Sequence, residues 1–330
     1  MKPFEHYSAA SVEEALSLLK DFGGKGCLMA GGTDLLGLLK DQILPDYPEA
    51  LINLKTISGM DSIRESAGEL SIGALAKLAD IASSPLVQEK YPSLSRAAQA
   101  VASPEIRTMA TIGGNLCQDV RCWYYRYPHH MGGRMLCRRK GVGPCHAIKG
   151  DNRYHAIMGA KACFAVCPSD SAIALSALGA KVEIVEESGA RTLPVEEFFT
   201  PLGNALGTGE LVKEIRIPAP SAACRQTFLK FTERKPIDFA VASVASVITM
   251  GDGKCVGARV FLGGVAPMPW RAQGAEQCVM GKVIDAATAE GAAKASVAGA
   301  KPLSGNGYKV EITKALVKRA LLLSAGGPIS

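Results

Sequence analysis

Between residues 121 and 162 the chain abandons hydrophobic periodicity, and this break constrains its fold more than any other feature. No period of 2 or 3.6 is sustained there, while cysteine, histidine, arginine, glycine and aromatic residues crowd together. So long a stretch without regular structure is either functional or disordered, and its cysteines and aromatics argue against disorder. We read it as an ordered excursion. Cys122, Cys137 and Cys145 lie within it, Cys163 and Cys167 at its end, and Cys117 just before it. Such clustering is not explained by packing. A chain of 330 residues can bury a core without covalent staples, so a cytosolic cysteine cluster reads as metal-binding or redox-active. Thiolates suit zinc and iron-sulfur clusters alike. The only close pairs are Cys117/Cys122 and Cys163/Cys167, and the other intervals are long and irregular. Spacing alone therefore leaves iron-sulfur, zinc, and unligated or disulfide-bonded cysteines open.

On either side of the excursion, helix and strand patterns alternate. Helices are expected over 11–19, from 33, over 74–82, over 93–101 and over 171–178. Ser103-Pro104 closes the fourth, because a residue before proline is pushed out of the helical region. Strands are expected over 27–30, 50–54, 69–72, 181–185 and 210–218, then a linker at 218–221. Beyond it, strands at 226–231, 242–250 and 254–262 precede helices at 286–298 and 311–323, with a hairpin turn at Gly251-Asp252-Gly253. At roughly 100 to 200 residues per domain, this length implies two or three domains. With 48% hydrophobic and 21% charged residues, disorder, collagen and coiled coil are excluded.

The piece Ala30-Gly31-Gly32-Thr33-Asp34-Leu35 falls between a strand and a helix, where glycines permit close approach and backbone amides can face an anion. Thr111-Ile112-Gly113-Gly114-Asn115 repeats the device about 80 residues later, which suggests two turns converging on one pyrophosphate. Either pair alone is equally a tight turn. Neither matches the G-x-G-x-x-G fingerprint or the P-loop, so a nicotinamide Rossmann domain and a kinase-like site are unsupported. There is no nucleophile elbow, no H-E-x-x-H and no paired-carboxylate motif, so no catalytic residue is assigned and hydrolysis is not expected.

The two glycine motifs, their spacing, and the later Pro168-Ser169-Asp170-Ser171-Ala172 resemble the FAD-binding medium subunit of the molybdenum hydroxylase (xanthine dehydrogenase) family. The resemblance covers essentially the whole chain. It implies an α+β fold, with a two-part FAD-binding domain of the vanillyl-alcohol-oxidase/PCMH type over 1–220. Its subdomains would be 1–58 and 59–220. A smaller α+β domain of the carbon monoxide dehydrogenase flavoprotein type would follow over 221–330. It further implies that Ala30, Gly31, Gly32, Thr33, Asp34 and Leu35, with Thr111, Ile112, Gly114 and Asn115, hold the FAD pyrophosphate. Asp170 would bond the ribityl or ribose hydroxyls, and Lys230 would sit near the flavin's pyrimidine edge. Without the resemblance, Asp170 is a helix cap and Lys230 a solvated strand residue.

A subset of these subunits carries an extra 4Fe-4S insertion, as in the beta subunit of 4-hydroxybenzoyl-CoA reductase and the flavin subunit of periplasmic-type aldehyde oxidoreductases. Arg121-Cys122-Trp123-Tyr124-Tyr125-Arg126, then Cys137, Pro144-Cys145-His146-Ala147, Asn152-Arg153-Tyr154-His155-Ala156 and Cys163 resemble its pattern. An insertion over about 117–167 is thereby implied, with Cys122, Cys137, Cys145 and Cys163 as cluster ligands. Cys167, one helical turn beyond Cys163, competes for the fourth place. The remaining cysteines read as small buried hydrophobes.

From 121 to 155 there are eight cations, Arg121, Arg126, Arg134, Arg138, Arg139, Lys140, Lys149 and Arg153, against Asp151 alone. The net charge of +6 is thus one local patch, suited to surrounding an anionic cluster, to a solvated loop or to docking an acidic partner. Trp123, Tyr124, Tyr125 and Tyr127 are expected to cover the cluster, and nucleic-acid stacking is not expected.

The resemblance implies an electron-transfer subunit of an oxidoreductase complex with FAD and a 4Fe-4S cluster. Its partners would be a molybdenum-cofactor large subunit, a 2Fe-2S small subunit and an external carrier such as ferredoxin or NAD, in a dimer of heterotrimers. Flow from ferredoxin, as in 4-hydroxybenzoyl-CoA reductase, and a zinc-stabilised scaffold subunit are the alternatives. No stretch reaches the roughly 20 apolar residues of a membrane span, and no secretory signal is read at the start. The expected location is cytoplasmic, or periplasmic if a partner bears a twin-arginine signal.

Overall fold

The computed structural model describes residues 1–66, 68–133, 135–234 and 237–326. Three parallel strands open the chain, with Ala50–Asn53 between Glu5–Ser8 and Gly26–Met29. Parallel neighbours need crossovers, which the helices Val12–Asp21 and Leu35–Lys40 supply. The first begins where Ser11 Oγ accepts from Glu14 N at 3.2 Å, and its buried face, Ala15, Leu16 and Leu19, follows the helical period.

An antiparallel sheet follows in the order Ile63–Ser66, Glu69–Gly73, Leu211–Pro218, Lys181–Glu186, Gly189–Pro194. Its central strand comes last in the chain, so the sheet closes only after the cysteine-rich excursion has been traversed. A second antiparallel sheet comprises Cys224–Phe231, Ala242–Gly251, Lys254–Gly263 and Trp270–Arg271, covered by the helices Gln273–Val279 and Tyr308–Ser324, on both of which the helix Ala286–Ser296 packs. Asp252 and Gly253 both take positive φ, +49° and +75°, at the expected hairpin turn.

The helix Asp170–Ala177 is buried on every face, the mark of a helix enclosed between layers. It packs against helix Pro92–Gln99 and strands Ala242–Gly251 and Lys254–Gly263. Ile72, Val182 and Ile215 share their core with Phe228, Ala245 and Phe261 of the later sheet, while Ile248, Leu262, Val317 and Leu321 build a second core. The architecture is α+β, as expected.

Two local expectations are corrected. The helix expected over 74–82 begins only at Leu78, because Ala74 O and Ala76 O accept from Gly113 N and Ile112 N at 2.9 Å and hold 74–77 in a turn followed by a bridge residue. Gly113 and Gly114 are not a free turn. They form the first turn of helix Ile112–Cys117, capped by Thr111 Oγ1 accepting from Gly114 N at 3.2 Å. The strands Glu5–Ser8, Ile63–Ser66 and Gly189–Pro194 were not legible, being short edge strands with largely exposed side chains.

Among its described residues the excursion is ordered without α-helix or strand, and between 118 and 169 these hold only the single 3-10 turns His129–Met131, Arg138–Lys140 and His146–Ile148. Its small core, Val120, Tyr125, Cys137, Cys163 and Ala165, packs on Leu38 and Ile43. Residues near the chain's end grip its far side. Asn306, 0% exposed, donates to His155 O at 3.1 Å and Ala156 O at 3.3 Å and accepts from Leu303 N at 2.6 Å. The buried Lys309 Nζ donates to His155 O at 2.9 Å and to Gly264 O. Asn306→Ala strands these polar groups without partners and is expected to destabilise the protein by about 2–4 kcal/mol. Urea unfolding measures this, and an unchanged midpoint contradicts the clamp.

Candidate cofactor sites

A cavity of about 840 Å³ lies where the first parallel sheet, helix Ile112–Cys117 and the excursion meet. It falls within the size range of cofactor sites. Ala30, Gly31, Gly32, Thr33, Asp34, Leu35, Thr111, Gly114 and Asn115 all line it, so the two glycine motifs do converge. The backbone N–H groups of Gly31, Gly32 and Thr33 meet no protein acceptor among the described residues. A Cβ on Gly31 would sit 2.1 Å from Met109 O, and one on Gly113 would sit 2.8 Å from Ala74 Cβ. Both glycines are thus demanded by close backbone packing, and Gly113, which also lines the cavity, belongs with the site. Size, free amides and a cradle that a side chain would fill make this cavity fit a dinucleotide such as FAD.

Three of the expected residues stand elsewhere. Ile112 is a core residue, and Asp170 and Lys230 do not line the cavity but pair with each other. Lys230 Nζ lies 2.7 Å from Asp170 Oδ2 and donates to Ala100 O at 2.8 Å, with the two side chains 8% and 6% exposed. The lysine implied to sit near the flavin's pyrimidine edge, and read as solvated without the resemblance, is therefore buried against Asp170. Ser169 rather than Asp170 caps the helix, accepting from Ala172 N at 3.1 Å and donating to Asn115 Oδ1 at 2.6 Å. That contact ties the capped helix to the second glycine motif.

Burial pushes the Asp170 carboxyl above its ordinary 3.8, and the Lys230 ammonium opposes the rise. Lys230→Met removes the opposition, so the folded carboxyl holds its proton at pH values where the unfolded one has lost it. The variant's stability is then fully present below pH 3.8 and falls as pH rises through the new folded value. At neutral pH the expected cost is about 3–5 kcal/mol. Urea midpoints of variant and parent should converge in acid and separate toward neutrality; a gap independent of pH counts against the pair.

Asp34 lines the cavity, but its carboxylate is taken by the excursion. Arg126 Nη2 lies 2.7 Å and Arg121 Nη1 2.9 Å from Oδ1, and Asp119 N donates to Oδ2 at 2.8 Å. Burial pushes Arg121 down to about 10, which leaves it charged at neutral pH. Asp119 in turn accepts from Arg139 Nε at 3.0 Å and from the Tyr125 hydroxyl. Several cations of the basic segment thus face inward, and a freely solvated loop is not what the fold builds. Arg134 lies outside the described residues.

Beyond this network Cys122, Cys137, Cys145 and Cys163 line one small cavity. Cys167 lies in the main core and lines the larger cavity instead. All ten cysteines are free thiols. Among the described residues no three His, Cys, Asp or Glu side chains converge to hold a single ion; the four thiols surround a space. Burial pushes the Cys122 thiol up to about 11. Four soft donors around one space fit a cubane iron-sulfur cluster in ligand number and type. His155 Nε2 lies 3.2 Å from Cys122 Sγ, and burial pushes this histidine down to about 4. Of the expected aromatic cover, Tyr124 and Tyr125 line the thiol cavity and Trp123 packs edge-on against His155, while Tyr127 turns away to bond Met131 O. Asp119 was not singled out from the sequence, because nothing marks a lone Asp; Gly113 stood within the Gly-Gly step and Arg139 among the eight cations, without a role of their own.

The family described as the FAD binding domain in molybdopterin dehydrogenase matches residues 2–220, and the CO dehydrogenase flavoprotein C-terminal domain matches 227–324. The aldehyde oxidoreductase FAD-binding subunit PaoB of Escherichia coli K12 is 38% identical over 274 residues, 80% of this chain and 81% of that one. The carbon monoxide dehydrogenase medium chain of Hydrogenophaga pseudoflava is 29% identical over 325 residues, 96% of each chain. The solved carbon monoxide dehydrogenase from Hydrogenophaga pseudoflava, in the form lacking the Mo-pyranopterin moiety, superposes with a TM-score of 0.78 over 99% of both chains at 29% identity. No helix among the described residues is long and apolar enough to cross a membrane. With two glycine motifs closing on one cavity, a matching fold and these relatives, the chain belongs to the family of FAD-binding medium subunits of molybdenum hydroxylases.

Proposed function

We propose that this chain is the FAD and 4Fe-4S electron-transfer subunit of a molybdenum hydroxylase-type complex. The observation that carries the reading is the placement of four thiols around one space, sharing a wall with the cavity that fits FAD. Gly31, Gly32 and Thr33 would present amides to the pyrophosphate, with Thr111, Gly114 and Asn115 opposite them. Asp170 and Lys230 would act from beneath as a buried pair that sets the ends of their helix and strand. Cys122, Cys137, Cys145 and Cys163 would hold the cluster, and the insertion would span about 117–167 between a 1–220 domain and a 221–330 domain. FAD when bound exchanges single electrons with clusters and pairs of electrons with two-electron partners. The protein's own work is to bind, to exclude water and to supply the inward-facing cations that stabilise an anionic cluster. Chemistry on the organic substrate would take place on a molybdenum-bearing large subunit, with a 2Fe-2S subunit as relay and an external carrier at this chain.

The test is an anaerobic visible spectrum of the purified chain with flavin, iron and zinc assays. About one FAD and about four irons per chain are expected. A flavin-containing chain without iron would limit the reading to FAD, and a colourless zinc-containing one would overturn it.

A further inference from the structure

Two side chains, Tyr125 and Arg139, line both the flavin-sized cavity and the thiol cavity. Arg139 is the polar member of this shared wall with a fixed charge. Its side chain is only 10% exposed, its Nε donates to Asp119 Oδ1 at 3.0 Å, and it lines the thiol cavity together with Cys122, Cys137, Cys145 and Cys163. The position is rigidly backed. Asp119 is held through its own N–H by Asp34 Oδ2 at 2.8 Å, and Asp34 belongs to the first glycine motif. The neighbouring Arg138 carries the same charge but is exposed, so solvent screens it.

We propose that Arg139 sets the reduction potential of the cluster held by Cys122, Cys137, Cys145 and Cys163, as a buried cation placed in the wall that the thiol cavity shares with the flavin cavity. This rests on the cluster reading above. A reduced cluster carries one more negative charge than an oxidised one. A buried cation beside the ligand sulfurs therefore stabilises the reduced form more and raises the potential. The Asp119 carboxylate holds the guanidinium in place while consuming only part of its donor set, since a guanidinium has five N–H groups. The same wall residue thus faces the electron's two stopping points, and the glycine loop of one is linked through Asp34 and Asp119 to the cation that poises the other.

The experiment is a potentiometric titration of the cluster, followed by EPR, in the protein and in Arg139→Gln, Arg139→Lys and Arg138→Gln, each with iron and flavin assays. Arg139→Gln should lower the equilibrium constant for one-electron reduction about tenfold, a shift of about 59 mV to more negative potential. Arg139→Lys, which keeps the charge but loses the planar fork, should shift by less, and Arg138→Gln least. An unchanged potential in Arg139→Gln with iron retained overturns the proposal. So does an equal shift in Arg138→Gln, which would make the effect one of general charge. Loss of iron from both Arg139 variants also overturns it, because the residue would then be a structural support. Failure of the underlying reading is separate: it shows as absence of iron from the unaltered protein.

Discussion

Gly31→Ala is expected to abolish FAD binding. The added Cβ would sit 2.1 Å from Met109 O and 2.8 Å from Met109 C, and both are backbone atoms that no rotamer change can move. Either the 30–35 loop or the 109–110 segment must shift, and each lines the cavity. Overpacking of this kind costs about 1–3 kcal/mol, which a protein of this size tolerates, so the fold should persist while the cradle is lost. Flavin content after purification, read against an unchanged far-UV circular dichroism spectrum, measures the effect. Gly114→Ala makes an internal comparison: its Cβ meets only Thr111 Oγ1, at 3.0 Å, a hydroxyl that can rotate aside. That variant should keep a larger share of its flavin. Full flavin occupancy in Gly31→Ala would falsify the assignment of this loop to the cofactor.

Cys163→Ser should lose the iron-sulfur cluster and keep FAD, and Cys167→Ser should keep both. The two cysteines are four residues apart, and their spacing to the other thiols does not separate them. Their surroundings do: Cys163 shares a cavity with Cys122, Cys137 and Cys145, whereas Cys167 packs among Leu116, Ala172 and other residues of the main core. A serine oxygen is a harder and less readily ionised donor than a thiolate, so the exchange removes a ligand with little change of shape. Iron analysis and the absorption around 400 nm report the outcome. Loss of iron from Cys167→Ser with retention in Cys163→Ser would reverse the ligand assignment.

Most helices and strands were legible because their signals are local. Ser11 before an amphipathic run, the Asp252-Gly253 turn and the proline at 104 each act through neighbours a few residues away. The errors arose where distant backbone groups intervened. The alanine-rich 74–77 stretch has good helix propensity, yet its carbonyls are claimed by amides of 112–113, and a long-range bond outweighs a propensity of tenths of a kcal/mol. Without the resemblance Lys230 reads as an exposed strand residue, and neither that reading nor the resemblance reveals that it pairs with Asp170, 60 positions away.

The two candidate sites divide in the same way. Sequence alone determined which pieces matter, since a Gly-Gly step between strand and helix and a crowd of cysteines in an aperiodic segment are chemically unusual wherever they fold. Tertiary structure decided how those pieces meet: that the two glycine motifs close on one cavity, that Cys163 rather than Cys167 joins the other three thiols, and that Asp34, Asp119 and Arg139 link the two sites. Those facts depend on contacts between residues up to about 90 positions apart in the chain, such as Asp34 with Arg126. Side-chain type and spacing encode local geometry, but only the packed core brings a carboxylate on one loop to the arginines of another.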